Sequence, residues 1–115
     1  MNERFWTAID QLVRESTIKI DRPRGTAHPR FPDMIYPHDY GYLEQTCAMD
    51  GGGIDVWLGS LPETPPRPTA ILAIVDLFKR DSEIKILLAC TPTEIAAILA
   101  FHNTGSQSAI LVERY

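Results

Sequence analysis

The sequence contains little cysteine. Cys47 and Cys90 are its two cysteines, they lie far apart, and neither belongs to a C-x-x-C or Cys/His set. The sequence therefore predicts neither a disulfide framework nor a cysteine-based zinc site. We expect each cysteine to be a small buried apolar residue in a reducing compartment.

Positively charged residues are fewer than negatively charged ones: 11 Lys and Arg against 15 Asp and Glu give a formal net charge of −4. Proteins that bind nucleic acid or anionic membranes normally carry a basic stripe, so we expect neither partner. No apolar run approaches the roughly 20 residues that a membrane span requires. The N-terminal segment carries Glu3, Asp10 and Glu15 and has no unbroken apolar core, so we expect no signal peptide and a cytoplasmic protein.

The length and apolar content suit one folded unit. With 115 residues, of which 44% are hydrophobic, the chain predicts a single domain over residues 1–115 with its own core. The first segment predicts an amphipathic helix that begins after Asn2, because five apolar residues share one helical face: Phe5, Trp6, Ile9, Leu12 and Val13. In "TPTEIAAILAFHN", Thr91 and Glu94 form a capping box around Pro92 and predict a second helix.

Strand patterns fill most of the chain between these helices. The apolar, β-rich runs are "STIKI", "YGYLEQTCAM", "IDVWLGSL", "TAILAIVDLFK" and "EIKILLAC", and "SAILVERY" can close the domain as a last strand. The stretch from Arg22 to Pro37 is rich in Pro, Arg and His and predicts a loop or irregular edge strand. The pattern predicts a mainly β (α+β) fold of about five strands, closer to a barrel than to a βαβ sheet.

The glycine-rich stretch "DGGGID", from Asp50 to Asp55, has two interpretations. If the two flanking strands pair across a four-residue loop, the two carboxylates lie nearly opposite each other, and a divalent cation would offset their repulsion. Alternatively, Asp-Gly simply starts a tight turn and both acids face water. The turn in isolation favours the second interpretation.

The neighbouring segment "YPHDYGY", from Tyr36 to Tyr42, adds a second motif eight residues before Asp50-Gly51. These two motifs, in this register, resemble the Y-P-x-N-Y-G-[YF] segment and the D-G-D-P-x-D signature of the soluble family I inorganic pyrophosphatases. The resemblance extends from about Ile18 to Asn103. It implies a five-stranded OB-like barrel with flanking N- and C-terminal helices, and a hydrolase that uses several Mg²⁺ ions to activate water and neutralise pyrophosphate.

Site residues follow from the resemblance position by position. It implies Asp50, Asp55 and Glu83 as metal ligands, and Asp55 with Tyr40 as the catalytic pair. For phosphate contacts it implies Tyr36 and Lys85, together with the loop arginines Arg22, Arg24 and Arg30.

The sequence departs from the family pattern at several of these places. Gly52 stands where the middle acid of the signature is expected, and Gly53 replaces its proline. The nearest candidate for a further acid in the second hairpin is Asp81. A surface ion pair would explain Glu83 and Lys85 equally well, since residues two apart on a strand share a face.

Two functions remain open at this stage. One is a metal-dependent phosphoanhydride hydrolase acting on pyrophosphate or a related phosphate compound, with Mg²⁺ or, if His28, His38 or His102 replace missing acids, Mn²⁺ or Zn²⁺. The other is a catalytically weak or inactive descendant that binds phosphate, a nucleotide or a partner protein. A nucleic-acid-binding barrel conflicts with the acidic composition. The resemblance also implies a homo-oligomer.

Overall fold

The computed structural model describes residues 2–115. Two helices flank a set of six strands in chain order: α1 (Glu3–Arg14), β1 (Ile18–Arg22), β2 (Asp39–Leu43), β3 (Ile54–Leu58), β4 (Pro68–Asp76), β5 (Asp81–Leu88), α2 (Pro92–Phe101) and β6 (Gln107–Glu113). The strands form one sheet in the order β1-β2-β3-β5-β4-β6. Neighbouring strands are antiparallel except β3 and β5, which run parallel.

The mainly β fold with one helix near each end is confirmed, but the described residues 2–115 form six strands rather than five. The long strand β4 pairs with β5 on one side and with β6 on the other, so β6 becomes a full member of the sheet. Within residues 2–115, β1 and β6 lie at opposite ends of the strand order and do not pair with each other. The barrel is therefore not closed.

Each helix begins at the cap that its sequence predicts. The Asn2 side chain accepts a hydrogen bond from the Phe5 backbone N–H at 3.1 Å, at the start of α1. At the start of α2, Thr91 and Glu94 form the reciprocal capping box, with Pro92 in the first turn. These side chains satisfy backbone N–H groups that a helix leaves without an internal partner.

The two helices cover opposite faces of the sheet. Because side chains alternate along a strand, adjacent residues belong to different cores. One core joins α1 to the sheet through Trp6, Val13, Leu43, Val56, Ile71, Ile86 and Leu88. The other joins α2 to the sheet and contains the tyrosines, through Tyr36, Tyr40, Trp57, Leu72, Leu87, Ile95 and Ile98. The chemistry-bearing residues considered below lie on the α2 side.

Two further features lie on the α1 side. Arg114, just after β6, donates to both carboxylate oxygens of Asp10 on α1 at 2.6 and 2.7 Å. An apolar groove of about 920 Å³ runs beside α1, and its lining includes Val75, Ile84 and Ile110. These three side chains are 50%, 48% and 66% exposed. None of the helices in residues 2–115 is long and apolar enough to cross a membrane.

The connection between β2 and β3 differs from the expected short turn. Strand β2 ends at Leu43, and Asp55 faces Tyr42 across the strand pair, while Asp50 lies outside the ladder. The expectation that Asp50 and Asp55 face each other was wrong. Thr46 explains the longer loop, because its hydroxyl donates to the Leu43 carbonyl and accepts from the Ile54 N–H, which ties the loop ends together.

The two cysteines have different surroundings. Cys90 is 3% exposed, as expected for a small apolar core residue. Cys47 lies in the loop between β2 and β3 and is exposed, so the expectation that it is buried was wrong. Cys47 lines the open apolar groove beside α1 rather than either core, which leaves it exposed.

Candidate functional site

Four polar side chains meet on the α2 face of the sheet: Tyr40 from β2, Asp55 from β3, and Glu83 and Lys85 from β5. We call this group the Lys85 cluster. The parallel pairing of β3 with β5 places Val56 opposite Ile86, so the preceding residues Asp55 and Lys85 lie side by side on the same face. Residues from three strands therefore converge on one point.

The Lys85 ammonium is the centre of this cluster. Its Nζ lies 2.5 Å from the Tyr40 hydroxyl oxygen, 2.8 Å from Asp55 Oδ2 and 2.5 Å from Glu83 Oε1. The ammonium donates hydrogen bonds to Tyr40 and Asp55 and forms an ion pair with Glu83. Lys85 is 4% exposed, so the interpretation of Glu83 and Lys85 as a surface ion pair was wrong.

Tyr40 connects the ammonium to the Asp55 carboxylate. Its hydroxyl accepts from Lys85 and donates to Asp55 Oδ2 at 2.8 Å. Burial and then the adjacent Asp55 carboxylate raise the pKa of Tyr40 well above its usual value, because both disfavour the phenolate. The Tyr40 hydroxyl therefore remains a proton donor at neutral pH and fixes the position of the carboxylate.

Arg22 is the loop arginine that reaches this region. Its Nη1 donates to the Tyr36 hydroxyl at 2.5 Å, and its guanidinium carbon lies 5.6 Å from the centre of the Tyr36 ring and 5.9 Å from that of Tyr40. The His28 ring is stacked with the Tyr36 ring, with 6.1 Å between the ring centres. Contacts of this kind restrain a guanidinium that would otherwise move freely. The structure thus brings Arg22 and Tyr36 to the edge of the Lys85 cluster.

The structure places three other predicted residues elsewhere. Arg24 is exposed, and its backbone N–H donates to Asp39 Oδ1. Arg30 is exposed, with its guanidinium carbon 5.8 Å from the Phe31 ring centre and 5.4 Å from that of Phe78. Asp50 is exposed and accepts from the Gly52 N–H at 2.9 Å, which is the behaviour of a turn-starting Asp.

Sequence reasoning missed a buried hydrogen-bonded chain behind the cluster. The centres of the Trp57 and Tyr40 rings lie 4.7 Å apart, and the Trp57 indole N–H donates to His102 Nε2 at 3.0 Å. Because indole is only a donor, His102 Nδ1 carries the proton and donates to Gln107 Oε1 at 2.9 Å. Burial lowers the pKa of His102 to about 4. The partners lie on β3, just after α2 and on β6, and no local sequence pattern indicates that they meet.

A centre of several metal ions does not fit the residues present. Within residues 2–115, no three His, Cys, Asp or Glu side chains are grouped so that they could hold a metal ion. Asp55 and Glu83 are already engaged by Lys85, and Asp50 closes its own turn. Within the described part of the chain, these carboxylates therefore leave no set of protein ligands for a resident metal centre.

Comparisons with known proteins give a family resemblance in both sequence and fold. No protein-family model matches the chain. Soluble inorganic pyrophosphatase 2 of Chlamydomonas reinhardtii is 24% identical over 99 residues, which cover 76% of this chain and 52% of the relative. The chain thus spans about half the length of this curated relative.

Solved structures with a similar fold include an inorganic pyrophosphatase from Neisseria gonorrhoeae, with a TM-score of 0.61 and 17% identity, which covers 85% of this chain and 80% of that one. An inorganic pyrophosphatase from Coxiella burnetii gives a TM-score of 0.56 and 21% identity, covering 85% and 82% of the two chains. At such identities the likeness shows the fold. The resemblance indicated by the tyrosine and glycine motifs is confirmed: the chain has the fold of the inorganic pyrophosphatases and is similar in sequence to a soluble member, from which it has diverged far.

Proposed function

We propose that the protein is a pyrophosphatase-like hydrolase that acts on pyrophosphate or a related phosphate compound at the Lys85 cluster. The observation that supports this proposal is the convergence of Tyr40, Asp55, Glu83 and Lys85 from three strands, at the positions that the resemblance assigns to the reaction site. The side chains of Asp55 and Glu83 remain 29% and 24% exposed, so a ligand can reach them from solvent.

The charge of the cluster indicates the form in which a phosphate compound would bind. Asp55 and Glu83 contribute −2 and Lys85 contributes +1, for a formal total of −1. Arg22 at the edge brings this total to zero, which is little attraction for a free polyanion. We therefore propose that the substrate is the Mg²⁺ salt of pyrophosphate, with the Mn²⁺ and Zn²⁺ salts as alternatives. In such a salt, the cation neutralises the phosphate oxygens and polarises the phosphorus.

Each protein group has a proposed role in hydrolysis. The Tyr40 hydroxyl and the Lys85 ammonium both bind Asp55 Oδ2. Oδ1 is then the oxygen that accepts a proton from water as the water oxygen attacks phosphorus and the bridging P–O bond breaks. Arg22, held on Tyr36, donates to a phosphate oxygen at the edge of the cluster.

Phosphate release from pyrophosphate, measured with Mg²⁺, Mn²⁺ and Zn²⁺ in turn, tests this proposal. Asp55→Asn keeps the size of the side chain and an oxygen acceptor but cannot take the proton, so we expect turnover to fall by at least 100-fold, on the order expected for loss of a general base. Asp33→Asn, in the exposed loop before Tyr36, is the matched control and should retain turnover. Full activity of Asp55→Asn would place the reaction elsewhere.

A second candidate, binding without hydrolysis, is favoured by one specific observation. The Lys85 ammonium is already engaged by Tyr40, Asp55 and Glu83, and within residues 2–115 the cluster lacks a third acid. A protein of this kind would be stabilised by pyrophosphate without consuming it. We expect the melting temperature to rise with pyrophosphate in that case, with no phosphate released over hours.

The remaining functional expectations stay predictions. A small phosphate compound, rather than nucleic acid or a membrane, is the partner that the acidic composition favours. The cytoplasmic location and the assembly into a homo-oligomer are likewise proposed.

A further inference from the structure

We propose that Lys85 is a built-in cation that takes the place of a metal ion between Asp55 and Glu83, so that the protein alone does not bind Mg²⁺ or Mn²⁺ at the Lys85 cluster. This inference rests on the proposed function only in treating the cluster as the site. Its basis is the position of one ammonium group between two carboxylates that the resemblance assigns to metal.

The geometry of the ammonium is the first support. Three oxygens surround Nζ at 2.5 to 2.8 Å, and they come from Tyr40, Asp55 and Glu83 on three different strands. The contacts with Tyr40 and Asp55 are hydrogen bonds, and the contact with Glu83 is an ion pair. Among the described residues, no buried side-chain nitrogen or oxygen lacks a hydrogen-bond partner. The buried polar atoms of the cluster are thus satisfied without an added ion.

The packing around Lys85 keeps the ammonium in this position. Lys85 lies on β5, between β3 and β4, and faces Leu72 across the β4–β5 ladder. Its Nζ is also 5.1 Å from the centre of the Tyr40 ring. A buried ammonium is stable only beside compensating charges, so Lys85 cannot release Asp55 and Glu83 without a large penalty. A divalent cation would have to compete with this internal charge or lie close to it.

Within residues 2–115, no nearby side chain adds a ligand that would help a divalent cation compete with Lys85 for Asp55 and Glu83. Mg²⁺ requires near-octahedral oxygen ligands and usually takes one or two carboxylates together with phosphate oxygens and water. Within residues 2–115 no third acid, histidine or cysteine joins Asp55 and Glu83 in a ligand group. Before a phosphate compound arrives, the ammonium is therefore the stronger partner of both carboxylates.

Titration with Mn²⁺ in the absence of any phosphate compound tests this inference, with electron paramagnetic resonance to count bound ions. Lys85→Met keeps the length and apolar stem of the side chain but removes its charge. We expect no stoichiometric binding to the wild-type protein at millimolar Mn²⁺, and at least tenfold tighter binding to Lys85→Met. The double variant Lys85→Met/Asp55→Asn should lose this gain.

Two results would overturn the inference. One is stoichiometric Mn²⁺ binding by the wild-type protein that Asp55→Asn weakens. The other is a folded Lys85→Met variant that binds Mn²⁺ no better than the wild type. If Lys85→Met fails to fold, the wild-type titration with its Asp55→Asn comparison decides alone. Because no phosphate is present, absence of hydrolysis in the separate turnover assay would leave this result unchanged.

Discussion

At Gly41 the neighbouring strand leaves no room for a side chain. A Cβ atom built on Gly41 would lie 1.8 Å from the Lys19 carbonyl oxygen and 2.8 Å from Ile20 Cα, both of them backbone atoms of β1. Backbone cannot move aside as a side-chain end can, so even one methyl group would separate β1 from β2. This close approach explains the glycine between Tyr40 and Tyr42 in the motif.

We expect Gly41→Ala to lower the free energy of unfolding by about 3 kcal/mol or more, the upper end of overpacking costs, because the sheet must distort. Urea unfolding checks this value. Gly52→Ala is the matched control: a Cβ there meets only the Asp50 side chain, at 3.4 Å, so its stability should stay close to that of the wild type. Equal losses in both variants would mean that strand contact is not the cause.

His102 makes stability depend on pH. Its pKa is lowered from 6.5 to about 4 in the folded protein. Between these two pH values, His102 is therefore protonated in the unfolded chain but largely neutral in the folded protein. The unfolded state therefore binds more protons between these values, and stability falls as pH decreases from 6.5 to about 4, by up to about 3 kcal/mol in total. Above pH 6.5 this contribution does not change.

Urea unfolding at intervals between pH 7 and 4.5 measures this slope. In His102→Gln the side chain can still accept from Trp57 but does not titrate, so the loss of stability over this range should become smaller than in the wild type. An unchanged slope would assign the pH dependence to other groups.

At the scale of elements, the start of α2 carries its own anchor. Thr91 Oγ1 accepts from the Glu94 N–H at 3.2 Å, and Glu94 Oε1 accepts from the N–H groups of Thr91 at 2.8 Å and of Ser60 at 3.2 Å. The capping box therefore also binds the segment after β3. Since α2 packs on the face of the sheet that bears the Lys85 cluster, this cap helps to hold α2 in place beside the site.

We expect Thr91→Ala to lower the free energy of unfolding by about 1–2 kcal/mol, because the first turn loses its side-chain acceptor. Thr93→Ala, in the same helical turn but exposed, removes a hydroxyl without removing a cap and should change stability by less than about 0.5 kcal/mol. Thermal or urea unfolding of both variants gives the comparison, and equal effects would show that the cap is not what stabilises this end.

Local signals in the sequence account for most elements and for few of the contacts between them. Both helices follow from caps and apolar spacing, and the strands follow from β-rich runs between turns. The extent of the loop after β2 could not be predicted, because it depends on Gln45 in a left-handed conformation (φ 63°) and on Thr46 bridging both ends. Such features depend on contacts that form only in the folded chain.

In the candidate site, likewise, the sequence indicates the residues but not the contacts between them. The resemblance supplied Tyr40, Asp55, Glu83 and Lys85 as separate positions. Their meeting point requires the parallel pairing of β3 with β5, which no residue pattern specifies. The burial of Lys85 depends on that pairing. For this reason the sequence could not distinguish a surface ion pair from the Lys85 cluster.

At the scale of the whole molecule, one surface is suited to contact with a second copy. Within residues 2–115, β6 is an edge strand, and its central part from Ser108 to Val112 contains neither charge nor proline. An unprotected edge of this kind readily pairs with another strand. The exposed Ile110 of β6 also borders the apolar groove beside α1. Antiparallel pairing of two β6 strands about a two-fold axis would join both features in one self-complementary interface.

We expect the protein to form a dimer through β6, and Ile110→Glu to shift it to monomer by at least tenfold in dissociation constant, because each subunit would bury a charge. Sedimentation over a range of concentrations measures this. Leu77→Glu, which changes an even more exposed side chain in the turn after β4, is the control and should leave assembly intact. A wild-type protein that stays monomeric at all concentrations would exclude the interface.

The bidentate contact between Asp10 and Arg114 also bears on how the chain acquires its structure. It joins residues 104 positions apart, and the bond between Lys85 and Tyr40 spans another 45. Chains dominated by such distant pairings fold slowly, on the order of milliseconds to seconds. The entropy cost of closing long loops comes before the stabilising contacts can form. Because α1 precedes β6 in the chain, during synthesis it is locked in place only after the residues of β6 have emerged. The Asp10–Arg114 contact therefore forms late, and loss of Arg114 should speed unfolding more than it slows folding.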